Sequence, residues 1–423
     1  MLDLVVRGGH VVTPGGIVRA DVGVGDGVIA EVAPELDGTR VIDAVGLHVF
    51  PGGLDPHVHF NEPGRTHWEG IKTGSASLAA GGFSAYFDMP LNSMPPTADG
   101  AAFDAKLEAA VRDSSVDFGL WGALVPGAAM EELAERGVIG FKAFMSHPGT
   151  EDFQRADDVT LYEGMATAAR VGLLVAVHAE NDALTARALG PTVRDWMDSR
   201  PVVAELEAIS RAITFAADTG CALHIVHVSS GAGVGLVTDA RARGVDVTCE
   251  TCPHYLFLTP EQVEKIGPVA KCAPPIRDAE DQGALWERLR AGEIDFVTSD
   301  HSPSSPDLKA GTFGEAWGGI AGAQTTLELL AGALEPQLAA RMVTGAAGRF
   351  RIAGKGAIEP GADADLALVD LSAEYTLAAE DLRYRHQLSA YVGRRLQSRV
   401  VRTVVRGLDP APGVGKLLTP TLR

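Results

Sequence analysis

Gly53-Leu-Asp-Pro-His-Val-His-Phe60, GLDPHVHF, is a short apolar run carrying two histidines one residue apart. On a strand, residues two apart share a face, so His57 and His59 would project together from one point of a sheet. Such a pair serves either a metal or the interior, as two satisfied core histidines. Seven comparable runs follow: SAYFDMP (84–90), FGLWGALV (118–125), VIGFKAFM (138–145), LLVAVHAE (173–180), ALHIVHVSS (222–230), DVTCETCPHY (246–255) and DFVTSDH (295–301). Each is separated from the next by a stretch rich in Ala, Leu, Glu and Arg that can hold a helix. Eight strands with intervening helices predict a (β/α)8 TIM-type barrel, whose active site collects at the carboxyl ends of the strands.

The flanks have a different texture. Residues 1–50 show Gly-punctuated alternation (LVVRGGHVVTPGG, DVGVGDGVIAEV), and so do 355–370 and 400–407. Both ends predict short antiparallel strands. The simplest arrangement is a small β-sandwich domain made from 1–50 and 353–423, with a barrel over 51–352 inserted between them.

At 423 residues and 46% hydrophobic content, the chain can bury a barrel-sized core and a smaller companion. Its formal charge of −19 opposes phosphate backbones and anionic membranes, which argues against nucleic acid as a partner. The start, MLDLVVRGGHVV, lacks a basic region followed by a long apolar one, and no apolar run reaches membrane-spanning length, so a cytoplasmic protein is expected. Four cysteines are too few for a disulfide framework. Cys249 and Cys252 form a C-x-x-C with no second pair nearby and read as buried thiols.

Ligand-type residues fall at the ends of other strands too: Lys142 on the fourth, His178 on the fifth, His227 on the sixth and Asp300 on the eighth. Singly, His178 and His227 could be buried histidines bonded to carbonyls, and Asp300 a helix cap. His224, on the other strand face, reads as structural. Lys142 sits in GFKAFM, where an unpaired ammonium is costly, so either an ion pair or conversion to a carbamate by carbon dioxide must neutralise it. His67 lies in Thr66-His-Trp-Glu69, the spacing of a helix capping box, and is either first-turn structure or support behind the site. His254, at the end of the seventh strand, is a second candidate for such support.

PGGLDPHVHFNEPG, GFKAF, VHAE, HVSS, TCPHY and TSDHSP, in this order, resemble the cyclic amidohydrolases, the group that includes dihydroorotases, hydantoinases, dihydropyrimidinases and allantoinases. The resemblance covers essentially the whole chain. EPGRTHWEG, DMPLN, TCETCPHY, AKCAPPIRD, AWGGIAG and YRHQLSAYVGR are most similar to the allantoinase branch. It implies a pair of divalent metals, zinc first, with iron, cobalt or manganese as alternatives. His57, His59 and Asp300 would hold one, His178 and His227 the other, and Lys142, N6-carboxylated by CO2, would bridge them. Asp300 would serve as base and then acid in hydrolysis of a cyclic amide. Asn61, Cys272, Ala273, His301, Ser302 and Gly318 would hold the ring. The implied substrate is allantoin, opened to allantoate, and the implied assembly a homotetramer. Dihydroorotate carries a carboxylate and needs a cation where this chain has the neutral Asn61, although Arg65 follows closely. Dihydroorotate, hydantoins and a non-catalytic scaffold are the alternatives.

Overall fold

The computed structural model describes residues 1–185 and 190–421. Eight parallel strands form the barrel: β1 (Gly53–Val58), β2 (Phe83–Asp88), β3 (Asp117–Leu120), β4 (Phe141–Phe144), β5 (Val175–His178), β6 (Leu223–Ile225), β7 (Val247–Thr251) and β8 (Phe296–Val297). β1, β2 and β3 pair in order, and β4 to β8 form a second run that is extended beside β4 by Gly122–Ala123. A parallel bridge from Val58 to His301 returns the end of β8 to β1 and closes the ring. Barrel strands are covered on both faces, which is why they read as continuous apolar runs; every residue of β1 and β2 is buried.

Two strands are shorter than the sequence suggests. After Thr251 the chain turns into a helix, Pro253–Phe257, so His254 and Tyr255 are helical. β8 ends at Val297, and Asp300 further on adopts a left-handed backbone, φ 42°.

The two ends of the chain meet in one seven-stranded sheet. Its order runs Arg399–Val404, Leu366–Asp370, His48–Pro51, Leu2–Thr13, Gly16–Gly25 and Val28–Ala33, with Gly38–Asp43 also paired to Leu2–Thr13. The hairpin between Gly25 and Val28 turns on Asp26 and Gly27, both at positive φ, the backbone an Asp-Gly turn of this length demands. The sheet is mixed rather than antiparallel throughout: Leu2–Thr13 runs parallel to Gly38–Asp43 and to His48–Pro51, because intervening loops carry the chain back before it re-enters the sheet. Its apolar face packs Leu4, Val6, Val22, Val49, Leu366 and Leu368 into a core of their own. A buried ion cluster joins this sheet to the barrel. Lys355 Nζ lies 2.6 Å from Asp117 on β3 and 2.7 Å from Asp365, and Arg406 also binds Asp117.

Candidate metal centre

β1 delivers His57 and His59 to the mouth of the barrel, and both Nε2 atoms turn to the same oxygen, Asp300 Oδ1, at 3.2 and 3.4 Å. The three side chains offer donor atoms all within 4.8 Å of one another, a group of the type that holds a divalent cation. Opposite them, His178 Nδ1 and His227 Nε2 are 2.9 Å apart. The His57 ring lies 5.4 Å from that of His227, so the two groups share one site.

Behind the rings stand carboxylates. His57 Nδ1 lies 2.5 Å from Glu250 Oε1, and His178 Nε2 lies 2.7 Å from Glu180 Oε2. A carboxylate on the far nitrogen fixes each tautomer and leaves the near nitrogen a lone pair for a cation. Glu250 also accepts the His227 main-chain N–H, and its other oxygen faces His224 Nε2 at 3.0 Å. Arg200 holds Glu180 from behind. Burial raises the affinity of Glu250 for a proton, but His57 and His224 outweigh it and bring its pKa to about 2; burial of Glu180 is offset by Arg200 and His178 to the same value. Both are firm anions. Burial moves His59 down to about 4 and lowers His178 and His227, so the rings are neutral, as ligation requires.

Lys142, at the centre of β4, is fully buried and its Nζ has no hydrogen-bond partner. Burial brings its pKa down to about 8, and Phe144 is the ring beneath it, at 5.0 Å. An ammonium with no partner in such a place is anomalous. Conversion to an anionic carbamate would remove the anomaly beside His59, His178 and His227, and the donors present fit a divalent metal. His227 and Asp300 sit at φ 38° and 42°, strained for residues with side chains. Backbone of that kind costs on the order of 1–3 kcal/mol per residue and persists where a site demands it.

A cavity of about 580 Å³ opens over this centre, with His57, His59, His178, His227, Asp300, Ala273, Ser302 and Gly318 on its wall. Lys142 and five other expected residues lie off that wall. Asn61, at φ 63°, turns its amide to the Pro303 carbonyl, 3.3 Å away. Cys272 is buried, and its carbonyl is taken by the Trp196 indole. His301 Nδ1 accepts the N–H groups of Gly322 and Ala323, so its ring secures the loop behind Ser302. His67 is exposed; its carbonyl accepts from His386, and its ring meets Trp68 edge to face at 6.3 Å. No capping box forms there: the helix starts at Ile71, whose N–H donates to Glu62, while Glu69 accepts from Arg385. His254 is buried beside the site, without a partner for either ring nitrogen.

Glu250, Glu180, Arg200, Lys271, Trp196 and Trp317 were not singled out from the sequence. Two signals were present. Glu180 lies two residues after His178, and Glu250 is an acidic residue inside the apolar run of β7.

The amidohydrolase family model matches residues 48–408, which span the barrel and three strands of the terminal sheet. The chain belongs to the amidohydrolase family. This amidohydrolase is 58% identical to an allantoinase of Rubrobacter xylanophilus, across 96% of this chain and 93% of that one. It is 43% identical to an allantoinase of Escherichia coli, across 96% and 94%. Among solved structures it resembles an L-hydantoinase (dihydropyrimidinase) from Arthrobacter aurescens, with a TM-score of 0.94 and 32% identity over 99% of this chain and all of that one. The amidohydrolase is thus an enzyme with a TIM-type barrel and a site built to bind divalent metal.

Proposed function

We propose that the chain hydrolyses the ring amide of allantoin to give allantoate. The observation that carries the substrate is the 58% identity, sustained over nearly the whole of both chains, to an allantoinase. The hydantoinases among the solved structures stand further off, at 27–32% identity, and support the chemistry of ring opening rather than their own substrate.

The donor set supports two divalent metals, zinc first: one held by His57, His59 and Asp300, one by His178 and His227, with Lys142 as N6-carboxylysine between them. When bound, the metals would make a water acidic enough to ionise near neutral pH and would polarise the scissile carbonyl. Forming the carbamate joins Lys142 Nζ to the carbon of CO2 and releases a proton. Asp300 directs one oxygen at His57 and His59, which leaves the other to take the proton of the attacking water and pass it to the departing ring nitrogen. Glu250 and Glu180 hold the histidine tautomers throughout. Ala273, Ser302 and Gly318 are the wall residues placed to orient the ring.

The same reading takes 1–50 and 353–423 as one domain and 51–352 as another, with assembly as a homotetramer in the cytoplasm. Four free cysteines, all buried, support the reducing compartment. Among the described residues, no helix is long and apolar enough to cross a membrane. The test is kcat/KM for allantoin, dihydroorotate and hydantoin on one metal-loaded preparation. Allantoin should be fastest; faster turnover of either competitor overturns the substrate assignment.

A further inference from the structure

Arg65 is the cation nearest in sequence to the first two histidines, yet it is not on the cavity wall. Its guanidinium is engaged at both terminal nitrogens. Nη1 and Nη2 donate to the two oxygens of Asp152 at 2.9 and 3.0 Å, a bidentate pair, and Nη1 also donates to the carbonyl of Asn92. The plane stacks on Trp68 at 5.0 Å, and Trp68 meets Trp317 edge to face at 5.0 Å. Asp152 in turn accepts from the Thr150 hydroxyl. These residues belong to the segments that follow β1, β2, β4 and β8, four loops around one mouth, and Asn92 and Trp317 are themselves wall residues.

The cations that do reach the wall are committed too. Arg200 binds Glu180, and Lys271 donates to the carbonyls of Gly314 and Ala316 over the Trp196 ring. A bidentate carboxylate is the strongest partner an arginine finds, so a ring carrying its own carboxylate must compete with Asp152 for Arg65.

We propose that Arg65 is a positioning residue, that its pairing with Asp152 ties the mouth loops together, and that Asp152 acts as an internal carboxylate that withholds this cation from anionic cyclic amides. This rests on the allantoin reading for its kinetic arm only. The two side chains are partly shielded, at 18% and 17% exposure, so the pair is neither a free surface contact nor a sealed core pair.

The test uses metal-loaded, full-length protein with Arg65→Gln, Asp152→Ala and the double variant, plus Arg65→Lys, which keeps the charge and loses the fork. Hydrogen exchange without substrate should quicken about tenfold over 146–157 in all four, and the double variant should be no faster than either single one, as for partners in one interaction. KM for allantoin should rise about tenfold with kcat within about threefold, the pattern of lost ground-state positioning. In Asp152→Ala the ratio of kcat/KM for dihydroorotate over allantoin should rise at least about tenfold, roughly 1.4 kcal/mol, while Arg65→Gln leaves it unchanged. Unchanged exchange, or kcat lost at constant KM in Arg65→Gln, overturns the tie. An unchanged ratio in Asp152→Ala overturns the withholding. Wild-type protein inactive on allantoin defeats the proposed substrate instead, while the exchange comparison still decides the tie.

Discussion

Glu250 touches three histidines at once: the His57 ring, the His224 ring and the His227 main chain. It binds no substrate, yet it sets the direction of a metal-facing nitrogen. Glu250→Gln should weaken metal affinity about 10–100-fold, the usual cost of losing such support, and equilibrium dialysis against a competing chelator would measure it. Unchanged affinity would mean that the ring is held by packing alone. Asp300→Asn should cut turnover by about 10²–10⁴-fold even where metal content survives, because an amide cannot shuttle the proton. Lys142→Ala should lose metal, and short carboxylic acids added to the solution should restore part of the activity by supplying the missing oxygens. Two bound metals and normal turnover in the unaided variant would remove Lys142 from the bridge. The expected six-residue set could be proposed because its members sit in or just past apolar runs; strand alternation speaks for His57, Lys142 and His178, whereas His59, His227 and Asp300 lie beyond a strand end. The carboxylates behind it could not, because whether an acidic residue faces a histidine, an arginine or water depends on contacts across the barrel. Asn61 and His301, expected to hold the ring, lie off the cavity wall for a related reason: both sit where the chain leaves a strand, and there strand alternation no longer says which way a side chain turns.

At the level of elements, local chemistry held in one place and yielded in another. The Asp-Gly hairpin at 26–27 formed as its chemistry requires, whereas Thr66 and Glu69 share the capping-box spacing without making one. Glu69 is claimed by the main chain of Arg385, far along the sequence, and Glu62 caps the helix instead. A local pattern yields when a distant partner takes one of its members. Where the cap is local it should carry ordinary weight. Asp99 accepts the Ala102 N–H at the start of helix Gly100–Asp113, and Asp99→Ala should cost about 0.5–2 kcal/mol in a denaturant titration while leaving metal content unchanged. Helix Thr326–Ala331 carries a different kind of device. Burial raises the pKa of Glu328 to about 7, although the Tyr375 hydroxyl and the Val400 N–H both donate to it. A carboxyl whose pKa is higher folded than unfolded favours folding when protonated, and that contribution is full below about 4.5 and lost as pH climbs through about 7. Glu328→Gln should therefore gain Tm relative to the parent between pH 5 and pH 8; a constant difference across that range would show that Glu328 is already ionised at the lower pH.

For the molecule as a whole, the join between the terminal sheet and the barrel rests on charge as well as packing. Lys355 is buried among Asp117, Asp363 and Asp365, so replacing it with Met takes the cation from buried Asp365 and leaves Asp117 to Arg406 alone, a loss of about 3–5 kcal/mol. Calorimetry would register it as a lower Tm, and an unaltered Tm would show that Arg406 alone suffices. The meeting of the two ends was expected from the shared texture of the flanks, but the parallel course of Leu2–Thr13 beside His48–Pro51 was not, since it depends on how the intervening strands and loops return the chain. That pairing also has a history in time. Strand His48–Pro51 is flanked by Leu2–Thr13 on one side and by Leu366–Asp370 on the other, and the latter leaves the ribosome ~300 residues later. At roughly 5–20 residues per second, the first strands wait something like 15–60 s with an open edge. During that interval the nascent chain carries an uncovered strand edge, able to pair with a neighbour's on the same message until Leu366–Asp370 emerges to cover it.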